Sequence, residues 1–298
     1  MRLVTRGDLD GLTCAVIITS CEKIDEILLV HPQDITDKRL AITGQDILAN
    51  LPYQSGCGKW FDHHLLTESN ERPPQDFDGR YGLAPSAARV VYEYYLARHP
   101  ELQKHELLLA ETDRLDSAQL NIDDVLDPKG YILLGYTLDP RTGLGAYQDY
   151  FKKLVAWLGS RSIEDILATP EVQERVARIR AGDTQFREVT LAHSRLDGNV
   201  VVTDFRNVDP VPVGNRFIVY TLFPQANVSL RVHWGPNREH VAAAVGHSIF
   251  NRTSRTNVGL LMSRYGGGGH RGAGTCLLPA GQADALIAEM VATMKRDA

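Results

Sequence analysis

Three strongly coordinating side chains stand side by side in the stretch KWFDHH: Asp62, His63 and His64. Successive residues of a strand point to opposite faces, so three in a row gather only if the strand ends there and the chain turns. Ends of parallel strands are where open α/β sheets place their chemistry. Other acids occur in similar settings. VTRGDLDG places Asp8 and Asp10 two residues apart behind a short β run, and AITGQDILANLP puts Asp46 behind another. AETDRLDSA carries Asp113 and Asp116 on a helical stretch. Each piece alone is ordinary, because Asp favours turns and caps. Together, at successive strand ends of one domain, these carboxylates repel one another, and one or two divalent cations resolve the repulsion. Carboxylate plus imidazole suits Mn²⁺, with Mg²⁺, Co²⁺ and Fe²⁺ as substitutes. Two such ions bridged by a carboxylate can activate a water beside a phosphoryl group.

A second chemical feature lies near the other end of the chain. YGGGGHRGAGT covers Tyr265 to Thr275. Consecutive glycines let backbone amides approach a ligand closely, and such amides can cradle an anion. An isolated glycine run is otherwise a tight loop. His270 and Arg271, directly after it, add a donor and a positive charge. Upstream, VSLRVHW presents Arg231 as a candidate clamp for phosphate or carboxylate. Phe223, Trp234 and Tyr265 are the aromatics available for base stacking, and each fits a core equally well.

The elements that must hold these residues follow from periodicity. RLVT, EILLVHP, RLAITGQD and GKWFDHH read as strands. LTCAVIITSC reads as a buried helix, APSAARVVYEYYLARH as an amphipathic helix starting near Ser86 or Pro85, and HELLLAETDRLDSA as another. Such alternation argues for a parallel sheet with crossover helices. TPEVQERVARIRAGDTQF has the Pro start and late Gly of a helix. GNVVVTDF, RFIVYTLF and NVSLRVHW then read as β runs, and GQADALIAEMVATMKR as a closing helix. The expected fold is α/β: a parallel-sheet domain over residues 1–150, a helical connector over 151–187 and a smaller α+β domain over 188–298.

The chain's 298 residues suit about two domains. Its formal charge of −5 argues against a general nucleic-acid coat, but not against a small anion in a locally positive pocket. Cys14, Cys21, Cys57 and Cys276 show no CxxC spacing, so free thiols are expected. MRLVTRGDLDG lacks the apolar core of a signal peptide, and no apolar run nears the roughly 20 residues of a membrane span. A cytoplasmic protein is expected.

This set of motifs resembles the DHH phosphoesterases, a family called after its Asp-His-His motif. GDLDG resembles the family's first acidic motif, Asp46 its second, DHH its third and Asp113 in ETD its fourth; YGGGGHRGAG is similar to the glycine-rich motif of the attached DHHA1 domain. The resemblance spans nearly the whole chain. It implies that Asp8 and Asp46 hold one metal, and that Asp10, Asp46, His63 and Asp113 hold the other. Asp62, His63 and His64 would form the catalytic set, with His64 on a phosphate oxygen and Asp62 orienting its neighbours. Arg231, Gly267, Gly268, Gly269, His270 and Arg271 would bind substrate. Asp116 matches no family position and reads as a helix or interface charge. Val4 stands where many members have a histidine, so the count is one ion or two, Mn²⁺ first and Mg²⁺ or Co²⁺ as substitutes. Arg6 lies beside it and is a candidate phosphate contact.

The implied function is hydrolysis of short phosphate substrates by a metal-activated water in the cleft between two domains. Short single-stranded oligonucleotides or bisphosphorylated nucleotides are the expected partners, with no membrane partner and, on resemblance, a homodimer. The alternatives are an exopolyphosphatase and a non-catalytic nucleotide-binding sensor, the latter motivated by Val4.

Overall fold

The structure, a computed structural model, describes residues 1–64, 66, 71–138 and 144–297. It divides into two compact units, Met1–Gln119 with Pro128–Val176, and Leu120–Asp127 with Ala177–Ala298. The chain begins β1 (Arg2–Thr5), α1 (Leu9–Cys21), β2 (Glu26–Leu29), α2 (Pro32–Thr36), β3 (Asp46–Ala49), β4 (Lys59–Asp62) and β5 (Gly79–Tyr81). Helices follow: α3 (Ala87–Tyr95), α4 (Glu106–Asp116), α5 (Ile122–Leu126), α6 (Gly130–Tyr136), α7 (Leu144–Leu158), α8 (Ile163–Leu167) and α9 (Pro170–Ala192). The remainder comprises β6 (Ser194–Asp197), β7 (Val200–Asp204), α10 (Ile218–Leu222), β8 (Val228–Trp234), β9 (His240–His247), α11 (Val258–Ser263), β10 (Gly268–His270), β11 (Ala273–Pro279) and α12 (Ala283–Arg296).

The first unit is built on a five-stranded sheet of order β2-β1-β3-β4-β5, with every pair parallel. A parallel sheet is covered on both faces, so its strands carry apolar residues on both sides. Leu3, Ile47, Ala49 and Phe61 point into a core shared with α1, α3, α4 and α7. Val4, Leu48 and Trp60 alternate with them and pack on the opposite face with Ile35, Leu51 and Tyr53. α1 is buried continuously from Leu9 to Ile18, as an apolar helix at the centre of a unit must be. The strand order reverses direction between β1 and β3. In open α/β sheets, ligands bind outside the carboxyl ends of the strands at such a switch point.

The second unit contains a six-stranded mixed sheet of order β10-β11-β9-β8-β7-β6, in which only β7 and β8 run parallel. One face carries Val228, Leu230, Val232, Val241 and Val245, and it buries Leu261 and Met262 of α11 with Met290, Val291 and Met294 of α12. Trp234 and Tyr265 pack against this core, which is the apolar role open to them from the sequence.

Two expected strands are corrected. RLAITGQD is not a strand: β3 starts only at Asp46, after a turn in which the Thr43 amide donates to Asp46 Oδ2 at 2.7 Å. RFIVYTLF contains the helix α10. Adjacent parallel strands need a crossover rather than a hairpin, and α10 lies in the connection from β7 to β8.

Candidate metal centre

Asp8 ends the turn after β1 and caps α1: its Oδ1 accepts from the Gly11 amide at 2.9 Å. The same Oδ1 accepts from Asn50 Nδ2 at 3.1 Å, and Arg6 forms an ion pair with Oδ2, its Nε 3.0 Å away. Asn50 directly follows β3, so the Asp8–Asn50 bond spans the switch point between β1 and β3. Asp10 sits in the first turn of α1 and is 1% exposed. Its oxygens accept from the amides of Ala87 and Ala88, at 2.9 and 2.7 Å, at the N-terminus of α3. Ser86 caps that helix through the Arg89 amide.

At the end of β4, Asp62 is buried and organises the two histidines. Its Oδ1 accepts from the His63 amide at 2.9 Å and from the His64 ring at 2.8 Å. His63 turns the other way. Its Nδ1 lies 2.9 Å from the Ala84 carbonyl, which can only accept, so Nδ1 carries the proton and Nε2 offers a lone pair. That Nε2 lies 3.3 Å from Asp116 Oδ2 and 3.8 Å from Asp10 Oδ2. It is buried and has no hydrogen-bond partner.

Two carboxylates and one imidazole lone pair therefore converge, with ligand atoms within 4.8 Å of one another. Three acceptors facing each other make a site for a cation, and Asp10, His63 and Asp116 fit a divalent ion by number and type. The electrostatics agree. Burial first, then the charges of Asp116 and Asp8, push the Asp10 carboxyl up to about 8, against the pull of His63 and the Ala88 amide. Burial works against a charge on His64, but the Asp62 hydrogen bond and charge outweigh it, and the ring's proton affinity ends above the ordinary value. The Arg6 charge opposes that rise.

Three expected ligands are not in this cluster, and the first is Asp8, whose oxygens meet Gly11, Asn50 and Arg6 instead. Asp46 opens β3 rather than following a strand, so it lies at the opposite end of the parallel sheet, about 13 Å along the strand from Asn50 at ~3.3 Å per residue. There Arg2 Nε and Nη2 donate to it at 2.6 and 2.9 Å. Asp113 ties α4 to α3: Ser86 Oγ donates to Oδ1 at 2.6 Å, and Arg89 donates to Oδ2 through Nε and Nη2 at 3.0 and 2.5 Å. The acid of α4 that reaches His63 is Asp116, one turn further along, and the reading of it as a helix or interface charge is corrected.

Asn50 escaped notice because it is not an acid. Its backbone takes a left-handed φ of 57°, a conformation that Asn tolerates. It directly follows β3 as His63 follows β4, a positional cue that requires the right strand boundary.

No protein-family model matches the chain. No curated protein matches it either. Among solved structures, the chain is 40% identical to the pGpG-specific phosphodiesterase PggH of Vibrio cholerae, over 100% of this chain and 99% of that one, with a TM-score of 0.85. The chain belongs to the DHH/DHHA1 phosphoesterase family. Two more distant structures share the fold. RecJ from Thermus thermophilus in complex with Mn²⁺ is 12% identical over 99% of this chain and 52% of that chain, at a TM-score of 0.60. A DHH domain described as a member of the s1p family of ribosomal proteins is 13% identical over 98% and 85%, at 0.56.

In this DHH/DHHA1 chain the glycine run is not a free loop. The Gly267 amide donates to the Met262 carbonyl at 3.0 Å and closes the C-terminus of α11. Gly268, Gly269 and His270 form β10, paired antiparallel with β11. A side chain at Gly267 would run into the Thr275 carbonyl. Gly267 and Gly269 thus serve close approach to the backbone of β11, and the Gly267 amide is already engaged. His270 and Arg271 are exposed beyond them. Arg231 lies on β8 on the face opposite the core, together with Ser229 and His233. Burial, and then the Arg231 charge, lower the proton affinity of His233. The cysteines are free, and among the described residues no helix is long and apolar enough to cross a membrane.

Proposed function

We propose that this chain is a divalent-metal-dependent phosphodiesterase that cleaves a short 5′-phosphorylated dinucleotide, with pGpG as the first candidate. The observation that carries the reading is the convergence of Asp10 and Asp116 on the buried, unpartnered lone pair of His63. The substrate is suggested by the end-to-end likeness to a pGpG-specific enzyme. A cation held on those three residues supplies Lewis-acid polarisation of a phosphoryl oxygen and acidifies a water. Mn²⁺ is the first ion to test, because the ligand set mixes carboxylate and imidazole.

The protein's own groups divide the remaining work. The α3 amides hold Asp10 in place, and the Ala84 carbonyl keeps the His63 lone pair turned toward the two acids. Asp62 fixes the turn that separates the histidines and favours the proton on His64, which donates to a phosphate oxygen. Arg231, His270 and Arg271 of the second unit are assigned to phosphate binding, for which Arg is the best-matched donor.

The test compares turnover of pGpG, a 3′,5′-bisphosphonucleotide and polyphosphate with Mn²⁺, followed by liquid chromatography. The expected result is cleavage of pGpG with kcat/KM at least ~10-fold above the others, lost on chelation. Faster phosphate release from polyphosphate reassigns the enzyme as an exopolyphosphatase. Nucleotide binding without turnover of any of the three makes it a sensor.

A further inference from the structure

The acids at the metal centre are not equivalent. Asp10 and Asp116 share the His63 lone pair. Asp8 is already engaged: the Gly11 amide and Asn50 Nδ2 donate to its Oδ1 at 2.9 and 3.1 Å, and Arg6 forms an ion pair with its Oδ2, the Nε lying 3.0 Å away. A second cation would have to displace the Arg6 guanidinium from Asp8. Its other neighbours offer it little. Asn50 has a buried Oδ1 with no hydrogen-bond partner, but that oxygen is single and neutral and its amino end is turned to Asp8, so it cannot bridge two ions as a carboxylate does. Val4 on β1 is fully buried against Leu48 and Trp60 and has no ligand atom.

We propose that the centre holds one divalent cation, on Asp10, His63 and Asp116, and that the Arg6 guanidinium on Asp8 takes the place of a second ion and binds a phosphoryl oxygen of the substrate. Arg6 is suited to the task. It is paired with Asp8 through Nε, is one-third exposed, and presents a planar fork of donors that matches phosphate oxygens. One ion and one guanidinium together place three positive charges beside a phosphoryl group. The role of Arg6 toward substrate rests on the phosphoesterase reading; the metal count does not depend on any substrate.

The test counts Mn²⁺ per chain by plasma mass spectrometry and titration calorimetry. One ion per chain at saturating metal is expected; two overturn the proposal. The variant V4H/R6Q/N50D supplies ligand atoms and removes the guanidinium, and it is expected to gain a second ion. A triple variant that melts like the parent yet still holds one ion overturns the claim that these residues set the count. Arg6→Gln is expected to keep one ion while binding inorganic phosphate to the Mn²⁺-loaded protein roughly 10- to 100-fold more weakly, with Arg6→Lys recovering part of the loss. Unchanged phosphate affinity in Arg6→Gln overturns the role of the guanidinium. A protein with one ion and Arg6-dependent phosphate binding that fails to cleave pGpG leaves this inference standing and defeats only the substrate assignment.

Discussion

The parallel sheet carries a buried aspartate at each end, and the two have opposite surroundings. Asp46, at the N-terminal end of β3, is 1% exposed, as is Asp10 beyond the C-terminal end of β1. Asp46 receives two guanidinium hydrogen bonds from Arg2 and two more from the amide and hydroxyl of Thr43. Burial opposes its charge, but these donors prevail and hold its carboxyl below the usual range. Asp10 has amide donors too, yet it faces Asp116 and the lone pair of His63, and its carboxyl is pushed up to about 8. Both acids are buried, so burial alone does not mark a site. What marks it is a carboxylate turned toward other acceptors, because that arrangement is best stabilised by a cation.

This contrast is broken most directly by removing each acid. Asp10→Asn is expected to lose bound Mn²⁺ and at least ~10³-fold in kcat/KM. Asp46→Asn is expected to keep its metal content and to hold activity within about threefold, while losing ~1–3 kcal/mol of stability through the disrupted Arg2 pair. Metal analysis and urea melts of both variants check this, and metal loss from Asp46→Asn would sink the distinction.

The same comparison can be drawn on α4 at a smaller scale. Asp116→Asn is expected to cost ~10²-fold in kcat/KM and to weaken Mn²⁺ binding. Asp113→Asn is expected to spare the metal and to lower stability by about 1–2 kcal/mol, because it loosens the tie between Arg89 and α4. Equal effects of the two substitutions on metal affinity would show that the helix presents both acids to the ion.

The smallest expected effect is a pH dependence that belongs to Asp10. Its folded-state value lies above the ordinary 3.8, so its contribution favours the metal-free fold at low pH and is lost as pH rises toward about 8. The melting temperature of metal-free protein should therefore decline across that window, and Asp10→Asn should remove this component. Mn²⁺ binds the ionised form, so its affinity should rise with pH and level off above about 8. A metal affinity flat between pH 6 and 8 would contradict the raised Asp10.

Much of the first unit was legible from local pattern. β1, β2, β4, α1, α3 and α4 fall where apolar periodicity placed them, and Ser86 caps α3 as its position suggested. His63 drew attention only through its company, because a histidine beyond a strand end is ordinary by itself and the acids at neighbouring strand ends are what point to a cation. Asp46 misled because its strand was drawn a few residues too early, and an acid read as following a strand in fact opens one. Asp113 misled because it and Asp116 are three residues apart on a helix, about 60° around the axis, so the sequence offers both to the same side.

The amino-acid sequence by itself determined the inventory: the acids, the histidine pair, the glycines that permit close strand pairing, and the alternation that makes a parallel sheet. These are short-range properties, set by side-chain chemistry and by backbone preference over a few residues. Only the tertiary structure decided which acid meets which partner. Arg2 neutralises Asp46 and Arg89 neutralises Asp113 across long stretches of chain, while Asp10 and Asp116 are brought to the lone pair of His63. Pairing of this kind depends on which strand lies beside which and on which ends come together, and no local pattern encodes it.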